Sequence, residues 1–382
     1  MIPVFRPSFD EDEWQALREP LENGWVTIGP KVKEFEERFA EYVGAPHAVA
    51  LNSGTAAIHE ALRGVDVSGG EVITPSLTFV STNHCILYEN AVPVFADVED
   101  DTLNISADEI ERLITPRTKA IMVVHYGGHA CDMDRIMDLA RPRGIRVIED
   151  AAHACGAEYK GRKVGSISDA TCFSFHAVKN MTTGDGGMVT FYDETLDQRL
   201  RHLRWMGLSG DTWARSSGAA GANYSWYYEA EEVGFKYYMN DIAAAIGLVQ
   251  LRKLDRMNAR RRELTHYYNQ LFADVEWVRT PVEHEYTRSS NHNYVVRVPD
   301  RDELIVYLRD HGVSASVHYV PNHLYPMYRQ FPARLPVTDR AWKEIVTLPL
   351  FPDMTESQVE QVVEAVRDFG ARRVTKSLAA AS

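Results

Sequence analysis

The 382-residue chain carries 41 basic and 54 acidic side chains, a formal charge of −13, with 45% apolar and 25% charged residues. This is ordinary globular composition for a chain long enough to form more than one domain, and its acidic balance argues against nucleic acid as the main partner while leaving room for a local phosphate site. No apolar run reaches the roughly 18 to 20 residues that span a bilayer, and the opening MIPVFRPSFDEDEW lacks a basic segment followed by an apolar one, so neither membrane nor signal peptide is expected.

In chain order, a helix is expected over about Asp10 to Leu21, stopped by Asn23-Gly24, and a second over Lys31 to Val43 after Gly29-Pro30. From residue 47 the pattern turns to β-α-β: strand HAVALN, helix TAAIHEALRG, strand EVITP, helix FVSTNHCILYEN, strand AVPVFADV. ISADEIERLI carries a Ser106/Glu109 capping-box spacing ahead of its apolar positions. Strand KAIMVVHY, helix MDRIMDLARPRG and strand IRVIED follow, then short strands at ATCFSF and GGMVTF. These strands are apolar without alternation, as expected of a mostly parallel sheet covered on both faces. A helix at about 194 to 205 leads into the Gly/Ser/Ala-rich stretch GLSGDTWARSSGAAGANYSW, which reads as a long loop of the kind that is often functional or mobile. Two helices are expected at 240 to 254 and 257 to 272, and then strands mixed with helices near 338 to 346 and 355 to 369. The division is a large α/β domain over 1–255, a smaller α+β domain over 256–372, and a disordered tail from 373. Cys85, Cys131, Cys155 and Cys172 show no metal spacing and read as buried free thiols of a cytoplasmic protein.

Four segments could carry chemistry. NSGTAA, 52–57, is a small-residue turn entering a helix; its amides and the Thr55 hydroxyl suit a phosphate, or simply cap the helix. IEDAAHA, 148–154, ends an apolar strand at Asp150, where ligands of open α/β sheets bind. That carboxylate can meet a cationic ring nitrogen or cap the next turn, and His153 follows three residues later. FSFHAVKNMTTGDGG, 173–187, places Ser174, His176 and Lys179 just past a strand. Lys179 is either a surface lysine or a desolvated amine able to act as nucleophile and base. In SLTFVST, 76–82, Phe79 either packs in the core or stacks on a planar ring. Phosphate turn, carboxylate, lysine and aromatic together match what pyridoxal 5′-phosphate requires of a protein.

NSGTAAIHEAL, EVITPSLTFVST, VIEDAAHACGAEYKGRKVGS, FSFHAVKNMTTGDGGMV and YYMNDIAAAIGLVQL together resemble the DegT/DnrJ/EryC1/StrS family of sugar aminotransferases, from about residue 3 to residue 370. NGWVTIGPKVKEFE, LSGDTWAR and LPLFPDMTESQVEQVV look most like members that aminate C-4 of UDP-4-keto-pentoses or 4-keto-6-deoxyhexoses. The resemblance implies a fold-type-I pyridoxal-phosphate enzyme, homodimeric with shared sites, taking an amino group from glutamate, releasing 2-oxoglutarate and making an amino-sugar nucleotide. By it, Lys179 forms the Schiff base and serves as base, while Asp150 pairs with the ring nitrogen and His153 with the ring hydroxyl. Gly54, Thr55 and Ser174 hold the phosphate, Phe79 stacks on the ring, and Asn240 reaches the neighbouring subunit's cofactor. Trp25, Thr27, His318 and Tyr319 match segments that approach the sugar. For His318 a structural role stays open, as it does for His176. A C-3 keto-sugar or cyclitol acceptor, or a non-catalytic cofactor-binding partner, are the rival readings; the last predicts damage at Lys179 or Asp150, and both residues are present.

Overall fold

The computed structural model describes residues 1–208 and 228–381, with side chains to Arg372. Most of the expected loop GLSGDTWARSSGAAGANYSW therefore lies outside the described residues. Seven strands form the main sheet: β1 His47–Leu51, β2 Glu71–Pro75, β3 Val92–Ala96, β4 Thr118–Val124, β5 Arg146–Asp150, and, after the two-residue strands β6 Glu158–Tyr159 and β7 Arg162–Lys163, β8 Ala170–Ser174 and β9 Gly187–Phe191. Their order is β1-β9-β8-β5-β4-β2-β3. β2 pairs parallel with β3 and β4, β4 with β5, and β5 with β8, whereas β9 runs antiparallel to both β8 and β1. One reversed strand in an otherwise parallel sheet leaves the carboxyl ends of six strands on one edge.

Both faces of this sheet are covered, which explains its unbroken apolar strands. On one side Phe35 and Phe39 of helix Pro30–Val43 meet Phe173 and Phe175, with ring centroids 5.0 to 5.4 Å apart for Phe39–Phe173, Phe39–Phe175 and Phe35–Phe175. On the other, helices Gly54–Gly64 and Glu194–Leu203 bury Ile58, Leu62, Leu196 and Leu200. The two helices expected between 240 and 272 are one, Asp241–Phe272. No glycine or proline stands between residues 254 and 257 to break it. Leu251, Leu254 and Met257 of this helix belong to the large core; Leu264, Tyr268 and Phe272 belong to a second. The second core forms around β11 Tyr294–Arg297 and β12 Ile345–Leu348, an antiparallel pair numbered after the short β10 Thr287–Arg288. Ile2 also joins it, so the chain's first residues pack with the smaller unit.

Local expectations differ in four places. The first helix is two, Glu11–Ala16 and Arg18–Glu22. Ser106 makes no side-chain cap, and Glu109 instead takes Arg112 at 2.6 Å. The helix expected near 338 to 346 ends at Trp342, and residues 345 and 346 belong instead to β12, where the β-branched run Ile-Val-Thr pairs with β11. The last helix spans Glu356–Ala381, taking in all but the final residue of the expected tail. All four cysteines are buried and unpaired, as expected. Among the described residues no helix is long and apolar enough to cross a membrane.

Candidate active site

A cavity of about 380 Å³ opens at the carboxyl edge of the sheet. Strand ends supply its walls: Ser53–Thr55 after β1, Thr78, Phe79 and Ser81 after β2, Val124 of β4, Asp150 and His153 from β5, Ser174 to Lys179 from β8, and Asp185 before β9. His318 and Tyr319 close it from the smaller unit. The four segments singled out in the sequence therefore meet at one place.

One corner is an anion cradle. The Ser53 hydroxyl caps helix Gly54–Gly64 by accepting from the Ala56 amide at 3.1 Å. Capping uses that donor and leaves the Gly54 and Thr55 amides without intrahelical partners at the positive end of the helix. Gly54 is needed because Ser174 is so near: a Cβ there would stand 2.7 Å from the Ser174 Cβ. Of the two readings of this turn, Ser53 takes the capping role, and Thr55 lines the cavity.

Asp150 lies opposite, at the tip of β5 and 4% exposed. Burial raises its pKa, against hydrogen bonds from the Thr82 hydroxyl at 2.7 Å and the Ala152 amide at 3.1 Å and the charge of Lys179. Two donors aimed at one carboxylate oppose that rise by favouring the ionised form. Lys179 stands in a turn after β8, its amide bonded to the His176 carbonyl at 2.9 Å. Desolvation by the cavity walls lowers its pKa to about 8, with Asp150 pulling the other way. An amine half-neutral near that pH can act as nucleophile and base where a surface lysine cannot.

His153 Nε2 lies 2.9 Å from the Tyr319 hydroxyl, their rings stacked with centroids 5.8 Å apart. Burial, then Lys179, holds His153 neutral, its pKa pushed well below the usual histidine range. Phe79 is 55% exposed, its ring centroid 5.7 Å from that of Tyr319, so it is no core residue and offers an aromatic face. His318 has the structural partner left open for it, Nδ1 pairing with the Thr347 hydroxyl at 2.8 Å, and its ring lines the cavity. His176 is exposed and also lines it.

Three expected residues stand apart. Asn240 caps the long helix by accepting from the Ala243 amide at 2.9 Å, and its side chain is exposed. Thr27 Oγ1 bonds the Tyr238 hydroxyl at 3.2 Å, the Thr27 carbonyl takes the Asp241 amide, and Trp25 Nε1 donates to the Ile28 carbonyl at 2.8 Å. These residues form one corner at the start of the long helix, outside the cavity wall of their own chain. Thr82 is a site residue with only a weak sequence signal, its place within SLTFVST one helical turn beyond Phe79. Tyr126, whose hydroxyl donates to the His318 carbonyl, and His292, whose ring centroid is 4.4 Å from that of His153, carry no sequence signal of their place here.

The sequence profile described as the DegT/DnrJ/EryC1/StrS aminotransferase family matches residues 7–367. The chain belongs to that family. The spore coat polysaccharide biosynthesis protein SpsC of Bacillus subtilis (strain 168) is 45% identical to it over 380 residues, 96% of this chain and 97% of that protein. Among solved structures, the aminotransferase TlmJ from Streptoalloteichus hindustanus superposes with a TM-score of 0.91 at 37% identity, covering 98% of this chain and 100% of that one. The sugar aminotransferase Spr1654 from Streptococcus pneumoniae in its pyridoxamine phosphate form gives 0.90 at 32% identity, covering 96% and 98%; it is also solved in a pyridoxal phosphate form. The DegT/DnrJ/EryC1/StrS chain is thus a pyridoxal-phosphate-dependent sugar aminotransferase with a fold-type-I architecture. Its cavity fits the cofactor on its own terms, since helix-end amides suited to a phosphate, a buried carboxylate and an amine of lowered basicity all line it.

Proposed function

We propose that this enzyme, as a cytoplasmic homodimer with shared active sites, transfers the amino group of glutamate to the keto carbon of a nucleotide-linked 4-keto sugar. The observation that carries the reading is the meeting of Lys179 and Asp150 in one cavity whose far corner is the free end of helix Gly54–Gly64. In this reading Gly54, Thr55 and Ser174 hold the cofactor phosphate. Phe79 covers one face of the ring, His153 meets the ring hydroxyl, and Asp150 keeps a proton on the ring nitrogen. When bound, pyridoxal phosphate supplies an electron sink for carbanion chemistry. Lys179 would anchor the cofactor through its amine and would serve as the base that carries the proton taken from the donor's α-carbon. The amino group replaces the ketone oxygen of the sugar, the donor leaves as 2-oxoglutarate, and the sugar leaves as an amine. Tyr319 and His318 line the sugar side, and Trp25, Thr27 and Asn240 reach the site of the partner subunit.

The choice of a 4-keto acceptor is supported by the resemblance of NGWVTIGPKVKEFE and LPLFPDMTESQVEQVV to members that aminate such sugars. The test is turnover of a panel with glutamate: 4-keto and 3-keto nucleotide sugars and a cyclitol ketone, followed by amine formation. The expected result is an amine from a 4-keto nucleotide sugar and none in Lys179→Ala. Exclusive turnover of a 3-keto sugar or the cyclitol would overturn the acceptor, and full activity in Lys179→Ala would overturn the site.

A further inference from the structure

The residue after Lys179 is tied to the same two partners as the wall across from it. Asn180 is buried, and its side-chain nitrogen donates to Asn258 Oδ1 at 2.7 Å and to the Ser290 carbonyl at 2.9 Å. Its own carbonyl takes Arg261 Nη1 at 3.4 Å. On the opposite side, the Ser290 hydroxyl donates to the His153 carbonyl at 2.6 Å, and Asn258 Nδ2 donates to the Cys155 carbonyl at 2.9 Å. The amide orientations are mutually consistent. A carbonyl acceptor fixes which end of Asn258 donates, which presents its oxygen to Asn180, and both partners of the Asn180 nitrogen are then acceptors.

We propose that Asn258 and Ser290 are positioning residues that fix the separation between Lys179 and the Asp150–His153 strand end. The inference rests on Lys179 acting as the cofactor-bearing lysine. Each partner reaches both walls: Asn258 holds residues 155 and 180, and Ser290 holds residues 153 and 180. Backbone is moved aside to admit them. Gly128 sits at φ +101°, and a Cβ there would stand 2.3 Å from the Ser290 hydroxyl; Gly156 sits at φ +82°, and a Cβ there would stand 2.6 Å from Asn258 Nδ2. Side chains at those positions would push both bridging residues out. Asn258 and Arg261 share a face of the long helix, one turn apart, between the residues that enter the two cores. Ser290 lies just before β11, the strand at the centre of the smaller core. The smaller unit is thereby keyed to the spacing of the catalytic walls. Arg261 is buried with no carboxylate in ion-pair contact among the described residues, and the Asn180 carbonyl is the acceptor it finds. A buried guanidinium is costly to leave without an acceptor, which makes that carbonyl's position stiff.

The experiment compares holoenzymes of wild type, Ser290→Ala, Asn258→Ala and, as a control on the same helix, Asn269→Ala, whose side chain serves Tyr294 instead. Visible absorbance of the lysine-bound cofactor is titrated against pH, with melting temperature measured alongside. Loosening the walls admits water, so the titration midpoint should rise by about half a pH unit, roughly threefold in the proton equilibrium, in Ser290→Ala and Asn258→Ala. Asn269→Ala should lower the melting temperature and leave the midpoint in place. A midpoint that stays put or falls in Ser290→Ala overturns the inference, and that variant, which loses a single hydroxyl, decides alone if Asn258→Ala does not fold. An absorbance that survives Lys179→Ala in wild-type background sinks the proposed function and this inference with it; an absorbance lost there but unmoved in Ser290→Ala sinks only the inference.

Discussion

The Thr82 hydroxyl lies 2.7 Å from Asp150 Oδ2 and 2.8 Å from the Thr78 hydroxyl, all three residues being buried. Because an ionised carboxylate only accepts, Thr82 donates to Asp150 and takes its own hydrogen bond from Thr78. The relay opposes the burial that raises the Asp150 pKa and so favours the charged carboxylate over the neutral acid. Thr82→Ala removes a hydrogen bond to a charged group, worth about 1.5 to 3 kcal/mol. We expect kcat/KM for transamination to fall roughly 10- to 100-fold at neutral pH. Thr82→Ser, which keeps the hydroxyl, should retain most of the rate. Steady-state kinetics on the two variants checks this, and equal rates would show that the hydroxyl does nothing for Asp150.

Lys179 carries a pH signature. Its pKa in the folded protein is lowered to about 8 from the ordinary lysine value of 10.5, with burial as the cause. Below both values the unfolded chain solvates the ammonium better than the cavity does, so the group costs stability there. Between about 8 and 10.5 the unfolded chain holds more protons than the folded one, so stability rises with pH through this window. In cofactor-free protein, Lys179→Met should therefore melt above wild type at pH 7, and the gap should close as pH approaches 10.5. Thermal melts across that range test the sign. The same amine should reload cofactor with a rate that climbs most steeply around pH 8.

The phosphate corner depends on a missing side chain. An added Cβ at Gly54 would meet the Ser174 Cβ at 2.7 Å and the Ser174 Cα at 3.3 Å, and neither atom can swing away as a flexible side-chain tip could. Gly54→Ala must push the helix end off β8, moving the Gly54 and Thr55 amides from their shared focus. We expect cofactor affinity to fall about tenfold or more, near 1.4 kcal/mol, with the fold retained. Equilibrium titration of cofactor-free protein with pyridoxal phosphate measures it. An unchanged dissociation constant would remove this helix end from phosphate binding.

What the sequence disclosed follows from how local each cause is. Asp150, Ser174 and Lys179 were legible because each sits within a few residues of the end of an apolar strand, and a parallel sheet gathers such ends on one edge. Gly54 and Thr55 were legible because a helix start exposes its amides wherever it occurs. Ser290, Asn258 and His292 were not: nothing in SSNHNY or MNAR signals that these residues pack behind His153, because their partners come from distant parts of the chain. The single helix Asp241–Phe272 was read as two because its buried face changes cores near Met257, and an apolar pattern that changes partner resembles one that stops. Ser106 shows the converse, a local signal that tertiary contacts overrode, since its amide is spent on the Asp97 carbonyl and Glu109 turns to Arg112.

Asn240 gives the sharpest test of a shared site. It stands exposed at the head of the long helix, beside Thr27 and Trp25, away from the cavity that holds Lys179 of its own chain. If that corner completes the partner's cavity, Lys179→Ala and Asn240→Ala damage opposite halves of each composite site. Each variant alone should be weakly active or inactive. In a mixed dimer, one cavity pairs an intact Lys179 with an intact Asn240 from the other chain, while the second carries both lesions. Random reassortment of equal amounts makes half the dimers mixed, so activity should recover to about a quarter of wild type. Co-refolding or co-expressing the two variants and assaying amine formation measures this directly. Recovery no greater than the sum of the separate variants would place Asn240 outside the neighbouring site and leave each cavity to serve its own chain.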